Sequence, residues 1–328
     1  MDHKSLVRWL CLAVLLGGFV GCAQPSAGLK PYVTGQLAAE SGNIAQAIRE
    51  LTLAIKRNPQ MVVAYEARGD LYKKQGRYHL AAADYKHATI LNPFSFHSFF
   101  ELGQVYQQLR RYIAAIAAYQ HALQINPKDA RTALNLAVAY TQAGHPFRGI
   151  LYANRAVQNG SNSFATWANI GTIYSQAAKH HPAYRRQAIH FFKQSLEIKP
   201  HQPQVYLNLA QIYMDEHRFD QASRVFRTGA KLAGSSLISE RLGYCYYRLG
   251  KLPQALAAYR QSLKYQSDYV PAINGMGVVY MTVALQQHRH WRTARTQAIS
   301  YWNRSLKIDP QQPLIEHLVK KFSPVANP

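Results

Sequence analysis

Residues Phe96–Pro127, FHSFFELGQVYQQLRRYIAAIAAYQHALQINP, decide the fold. The first half carries Phe99, Leu102, Gly103 and Tyr106 at i, i+3, i+4 and i+7, which places them on one stripe of an α-helix. The second half carries Ala115, Tyr119 and Ala122 at i, i+4 and i+7, and Leu109-Arg110-Arg111 makes the turn between the two. Gly103, Ala115 and Ala122 are small enough to let two helix backbones approach, while Tyr106 and Tyr119 fill the space beside them. Asn126-Pro127 ends the second helix, because a residue before proline is pushed out of the α region and proline has no N–H to donate. One such hairpin cannot bury its own apolar face, so the pattern predicts copies stacked upon it.

The copies are present. With Gly103 aligned on Gly69, 34 residues earlier, Tyr72, Ala81, Tyr85, Ala88 and Pro93 fall on Tyr106, Ala115, Tyr119, Ala122 and Pro127. Period and residues resemble the tetratricopeptide repeat (TPR) family, whose pattern is aromatic-x2-Leu-Gly-x2-Tyr, then Ala-x3-aromatic-x2-Ala, then Pro. The resemblance covers about residues 28–310. It implies an all-α solenoid of about eight helix-turn-helix repeats forming a right-handed superhelix. Repeat one keeps Gly35, Ala47, Ala54 and Pro59, and repeat four keeps Leu136, Tyr140 and Ala156 but closes on Asn159-Gly160, a helix C-cap signal. Repeats five to eight carry Gly171 with Phe192, Ala210 with Phe226, Gly243 with Tyr259, and Gly277 with Trp302. Repeat five needs about five extra residues near Lys179–Pro182, and repeat eight about nine near Gln286–Arg295. Pro313–Phe322 reads as a capping helix, since the last repeat would otherwise expose its apolar face. None of the 15 prolines falls in a predicted helix interior, where each would cost about 3 kcal/mol.

Lys4 and Arg8 precede Trp9–Val20, an apolar run too short to span a bilayer and of the length of a secretory h-region. Phe19-Val20-Gly21-Cys22 resembles the lipobox of bacterial lipoproteins, with Phe19 where Leu is usual. The resemblance divides the chain into a signal peptide (1–21), a linker from lipidated Cys22 (22–30), the TPR array (31–310), and the capping helix and tail (311–328). A plain signal peptide cut near Ala23 or Ala27 is the alternative. Asp after the lipidated cysteine marks inner-membrane retention in Gram-negative lipoproteins, so Ala23 points to the periplasmic face of the outer membrane. Of the three cysteines, Cys11 then leaves with the signal and Cys22 is lipidated. Cys245 remains, between two tyrosines of a repeat helix, and is expected to be buried.

The chain holds 38 Lys and Arg against 16 Asp and Glu, a formal charge of +22. Such an excess suits nucleic acid or an anionic surface; export removes nucleic acid and leaves an anionic glycan or another anionic polymer. The same composition suits an acidic medium, where protonated carboxylates no longer offer ion pairs. No catalytic constellation is legible: the 14 histidines never take a metal-binding spacing, and no phosphate-binding glycine loop occurs. His180-His181 and His288-x-His290 fall in the two insertions and read as solvated. No metal, cofactor or enzyme activity is expected.

Asn135, Asn169 and Asn208 precede the Leu-Gly step, or its equivalent, in repeats four, five and six, and Arg241 stands there in repeat seven. In several TPR proteins an asparagine here bonds the backbone of an extended peptide, a task suited to an amide that both donates and accepts. Arg241 resembles half of the carboxylate clamp of chaperone-binding TPRs, though Leu237 stands where a clamp lysine is expected. The competing expectation is that these asparagines bond the next repeat. The insertions supply a second candidate, a basic rim of Arg185, Arg186, Arg289, Trp291 and Arg292. These readings describe a lipid-anchored periplasmic scaffold with a protein or peptide in its concave groove, serving pilus or secretin assembly, polysaccharide export or cell-wall enzymes. The alternative is an envelope protein whose basic surface grips an anionic glycan.

The lipidation reading has a direct test. Cys22→Ala should leave the protein soluble or uncleaved and absent from the outer-membrane fraction. Unchanged fractionation, with no labelled acyl chain on the wild type, would contradict it.

Overall fold

The computed structural model describes residues 27–286 and 291–323. The signal-peptide and Cys22 readings lie outside the described residues, as do His288, Arg289 and His290. Among the described residues there are seventeen α-helices, one short 3-10 helix and no strand. They fall into two compact units, divided after Ser161.

The first unit holds four hairpins: α1 (Leu29–Glu40) with α2 (Ile44–Arg57), α3 (Val62–Lys74) with α4 (Tyr78–Leu91), α5 (Phe96–Gln108) with α6 (Tyr112–Ile125), and α7 (Ala130–Gln142) with α8 (Pro146–Gln158). The second holds four more: α9 (Phe164–Ala178) with α10 (Arg185–Ile198), α11 (Pro203–Asp215) with α12 (Phe219–Leu232), α13 (Ser236–Arg248) with α14 (Leu252–Tyr265), and α15 (Val270–Gln286) with α16 (Trp291–Ile308). The cap, α17, spans Pro313–Phe322. Each helix packs chiefly on its chain neighbours, and within each unit first helices also touch first helices, as α9 does α11 and α13 does α15. The first of these helices opens at Leu29.

One contact recurs within the hairpins. A small residue on the first helix lies under a large one on the second. Gly69 lies under Tyr85, Gly103 under Tyr119 and Gly243 under Tyr259, each pair 16 residues apart. Gly171 meets Phe192 at an interval of 21 residues, and Gly277 meets Trp302 at 25. The insertions thus lengthen the connection without moving the contact. Tyr85, Tyr119, Phe192 and Trp302 are all fully buried. Truncating an aromatic of this kind to Ala costs about 3–5 kcal/mol. Two hairpins depart from the pattern. Ala137 stands opposite Ala153 in α7/α8, and in α11/α12 Ala210 stands opposite Phe226, while the close approach moves to Gly229 beneath Tyr206.

The turn within a hairpin is also repeated. A left-handed residue follows the first helix at Gly42, Gly76, Arg110, Gly144, His217 and Gly250. After five of these the next N–H reaches back to a tyrosine carbonyl, as from Arg77 to Tyr72 (2.9 Å), Arg111 to Tyr106 (2.8 Å) and Lys251 to Tyr246 (2.9 Å), and after Gly42 Asn43 reaches Ala38 (2.8 Å); each closes a Schellman turn. Between hairpins of the first unit, the asparagine of each Asn-Pro folds its Oδ1 onto an N–H two residues on. Gln60 N and Phe94 N each donate at 3.1 Å, to Asn58 and Asn92.

The second unit uses a further device. Gln202 donates through Nε2 to the carbonyls of Ser195 (2.9 Å) and Lys199 (2.6 Å), satisfying orphan carbonyls at the end of α10. Gln312 does the same for Ser305 (3.2 Å) and Asp309 (2.6 Å) at the end of α16. Both follow a Ser-Leu-x-Ile-x-Pro-x-Gln stretch.

Two expectations change. The predicted stripe of α5 put Phe99 and Tyr106 on its buried face, but Phe100 and Val105 are buried and both predicted residues are half-buried. A helix in a stack has neighbours on more than one side, so its apolar arc is wider than one hairpin suggests. The extra residues of repeat eight that the structure describes are helical. They extend α15 to 17 residues and α16 to 18, so Trp291 and Arg292 occupy the first turn of a helix rather than a turn between helices. The α9/α10 insertion instead forms the 3-10 helix Pro182–Tyr184, with Arg185 and Arg186 opening α10. The capping helix packs Ile315, Leu318, Val319 and Phe322 against Trp302 and Met281.

The glycine contact is testable. A Cβ on Gly103 would stand 2.5 Å from the Tyr119 ring, which is fully buried. Gly103→Ala should therefore destabilise the protein by about 1–3 kcal/mol, through overpacking. Adding Tyr119→Leu should recover part of the loss. Urea unfolding followed by circular dichroism reads both, and a Gly103→Ala midpoint equal to wild type would contradict the account.

Candidate functional site

The first helices of each unit form a polar wall. In the first unit a groove of about 720 Å³ runs along α3, α5 and α7, lined by Lys73, Gln104, Gln107, Asn135 and Gln142, with Tyr119 behind. Lys73 pairs with Glu101 and donates to Gln104 at 3.1 Å. Gln107 donates to Gln142 at 2.8 Å and accepts from the Tyr119 hydroxyl at 2.6 Å. Asn135 stands beside the same hydroxyl in the groove lining. Burial pushes the Tyr119 phenol well above its ordinary value, so it remains a neutral donor.

In the second unit a groove of about 480 Å³ lies along α9 and α11, lined among others by Thr172, Gln176, Asn208, Gln211 and Asp215, with Lys179 and Arg185 beside them. Gln204 donates to Asn208 at 2.9 Å and Gln211 to Asp215 at 2.7 Å, both within α11. Amides that bond along their own helix keep donors and acceptors for a ligand laid across the wall.

The sequence-predicted residues separate as follows. Asn135 lines the groove of the first unit and Asn208 that of the second, both half-buried; Asn169 is exposed on α9. Arg241 is occupied by its neighbour: its Nε stands 3.5 Å from Glu240, a carboxyl that burial pushes up and Arg241 pulls back. Of the basic rim, Arg185 stands 3.6 Å from Glu216, and Arg292 lies over the Trp291 ring at 5.5 Å. Arg289 lies outside the described residues. Cys245 is fully buried, and burial pushes its thiol up to about 12, which makes it inert.

The sequence reading missed Gln104, Thr172 and Gln211, three residues after the asparagine position, and Gln142, Gln176 and Asp215, seven after it. That i, i+3, i+7 register is the wall-facing stripe, and it was legible. Among the described residues no group of three metal-binding side chains occurs, and no helix is long and apolar enough to cross a membrane.

A polar junction joins α3, α4 and α5 beside the first groove. The Tyr85 hydroxyl donates to Asp70 at 2.5 Å, and His97 Nε2 stands 3.7 Å from the same oxygen. Burial alone would raise Asp70; the His97 and Tyr85 contacts and the Lys73 charge outweigh it and hold the carboxyl below its ordinary value. The Asp70 carboxylate in turn holds His97 above its ordinary value, against its own desolvation. Asp70 therefore contributes stability above its unfolded value of 3.8, lost as pH falls through the lower folded value. His97 contributes below 6.5, lost as pH rises through its raised folded value. The junction should be strongest between those limits. The melting temperature should fall from pH 5.5 to pH 8 more in the wild type than in His97→Ala, and equal falls in thermal scans would contradict this.

Four family models match the chain. Tetratricopeptide-repeat models match residues 32–96, 98–129 and 185–239, and a TPR-repeat model matches 243–283; together they cover more than half of the chain. By sequence, no curated protein matches it. Among solved structures, a double mutant of MamA from strain RS-1 is 19% identical over 54% of this chain and 97% of its own, with a TM-score of 0.50. The C-terminal part of a TPR repeat-containing protein from Cytophaga hutchinsonii is 15% identical over 87% of this chain and 98% of its own, with a TM-score of 0.48. The APC/C hetero-tetramer Cut9-Hcn1 is 14% identical over 89% of this chain and 55% of its own, with a TM-score of 0.49. Helical hairpins at a period of 34, the recurring contact of small on large residues and four matched repeat models agree: the chain belongs to the tetratricopeptide repeat family.

Proposed function

We propose that this chain is a lipid-anchored periplasmic scaffold of the outer membrane whose first-helix walls hold an extended segment of a partner protein. TPR proteins bind protein or peptide partners, and the amide lining of the two grooves carries the finer reading. Side-chain amides match the alternating N–H and C=O of an extended backbone, and both grooves lie open along the helices rather than enclosed. The envelope address rests on Lys4, Arg8, the Trp9–Val20 run and Val20-Gly21-Cys22. Such a scaffold performs no reaction. Its partner belongs to a pilus or secretin assembly, a polysaccharide exporter or a set of cell-wall enzymes.

The wall asparagines test the reading. Asn169 and Asn208 both lie in the second unit, and neither is buried. Replacing both with Ala should weaken a peptide selected on the full-length protein by about 1–3 kcal/mol, at 0.5–1.5 kcal/mol per hydrogen bond. The melting temperature should not change. Binding should also vary little with salt, since backbone bonds rather than charges carry it. A variant that melts early and binds normally would show the asparagines to be structural and end the groove reading.

A further inference from the structure

The charge of this protein is unevenly placed. In the second unit, α10, α12, α14 and α16 together carry twelve Lys and Arg against two carboxylates, Glu197 and Asp220. The second helices of the first unit carry six against two, and α6 carries none. Asp220 is already paired, 2.7 Å from Arg224.

The cations also keep register. One residue after the buried aromatic stand Lys193, Arg227 and Arg260; five residues after it stand Lys231, Lys264 and Lys307. All six are exposed. Arg260 donates to the Tyr280 hydroxyl at 3.1 Å and keeps its charge. A residue that recurs at one position of successive hairpins recurs along one face of the stack, so the two positions make two parallel rows. Lysine near a helix C-terminus also answers the helix dipole, which accounts for the second row singly but not for the first.

A third row borders them. Six residues after the aromatic, the last helical residue of each second helix is a large apolar side chain open to water: Ile198 (55% exposed), Leu232 (36%), Tyr265 (49%) and Ile308 (41%). Leu314, in the first turn of the cap that follows α16, is 70% exposed. The matching residues of α4 and α6, Leu91 and Ile125, are half-buried.

We propose that this face of the second unit docks on an anionic bilayer surface. Rows of single cations spread over four helices answer a two-dimensional array of phosphates, and the apolar row has a use only where it can leave water. A linear polyanion would leave Ile198, Leu232, Tyr265 and Ile308 solvated. The lipid interface takes such side chains, and each Lys or Arg near it adds to the attraction. The proposal is independent of the grooves, which lie on the first helices, and of Cys22.

Partition of the full-length protein onto sedimenting vesicles tests it. Vesicles of pure phosphatidylcholine read whatever the Trp9–Val20 run contributes, and vesicles with 30% phosphatidylglycerol add the charge. Lys231→Gln/Lys264→Gln/Lys307→Gln should lower partition onto the anionic vesicles about tenfold or more and leave the neutral ones unchanged. Lys56→Gln/Arg57→Gln/Lys86→Gln removes the same charge from the first unit and should cost less than twofold. Leu232→Ser/Tyr265→Ser should also weaken the anionic partition several-fold, with an unchanged melting temperature. Equal losses from the two charge triples would mean that net charge alone acts, and would overturn the proposal. So would an apolar pair that binds as wild type, which would leave a site for linear polyanions such as dextran sulfate or an anionic glycan.

Discussion

The close approach of Gly103 to the buried Tyr119 ring, and its counterparts along the chain, is the constraint on which the structure depends. The Tyr119 ring stands where a Cβ on Gly103 would lie, so it can come this close only because that residue has none. Glycine costs about 1 kcal/mol in a helix interior, and a buried aromatic more than offsets it. The contact also fixes how far the second helix slides along the first. With that register set, the left-handed turn, the stop between hairpins and the wall-facing stripe all fall at fixed offsets. The insertions show the order of authority: the chain between Gly277 and Trp302 grows, two helices lengthen to absorb it, and the contact stays.

The repeated contact is why much of the fold was legible from sequence. Period, hairpin number, both insertions and the cap follow from residues that recur at one interval. What failed was whatever depends on a neighbour rather than on the repeat. Phe100 and Val105 are buried because α5 meets more than its own partner, and no single-hairpin stripe could show it. Gln202 and Gln312 reach back to carbonyls of the preceding helix from outside it, so helix periodicity does not mark them. The recurrence of asparagine at one position was legible; Asn135 and Asn208 line the grooves, and Asn169 is not among the lining residues. The approach of Asn135 to Tyr119 and the pairing of Arg241 with Glu240 were not legible, because each depends on a side-chain direction.

The electrostatics are equally local. Only 16 carboxylates face 38 cations, yet several of the acids sit at junctions where they do structural work. Asp84 takes both arms of Arg68 at 2.7 and 2.9 Å, Glu66 accepts from Ser95 and Ser98, and Asp70 holds Tyr85 and His97. The first unit thus ties its acids both within a hairpin, as Asp84 to Arg68, and between hairpins, as Glu66 to Ser95 and Ser98. In the second unit the second helices hold few acids, and most of their cations are exposed. The large formal charge is therefore a property of particular faces rather than of the whole surface.

Within the second unit, wall and outward face ask different things of a ligand. An amide reads a backbone, which every peptide has, so Asn169 and Asn208 can give affinity with little choice of sequence. Choice must then come from the wall positions that differ between repeats. Three residues on, the pair is Thr172 and Gln211; seven on, it is Gln176 and Asp215. Asp215 is an exposed carboxylate on that wall, and Lys179 and Arg185 line the same groove. A partner segment laid there, as proposed, would meet opposite charges within one groove, and one carrying both signs in the matching order would be held in one direction only. On the proposed reading, repetition of the amides would make the groove a general holder of extended chain, and the break in repetition at Thr172, Gln176, Gln211 and Asp215 would make it selective.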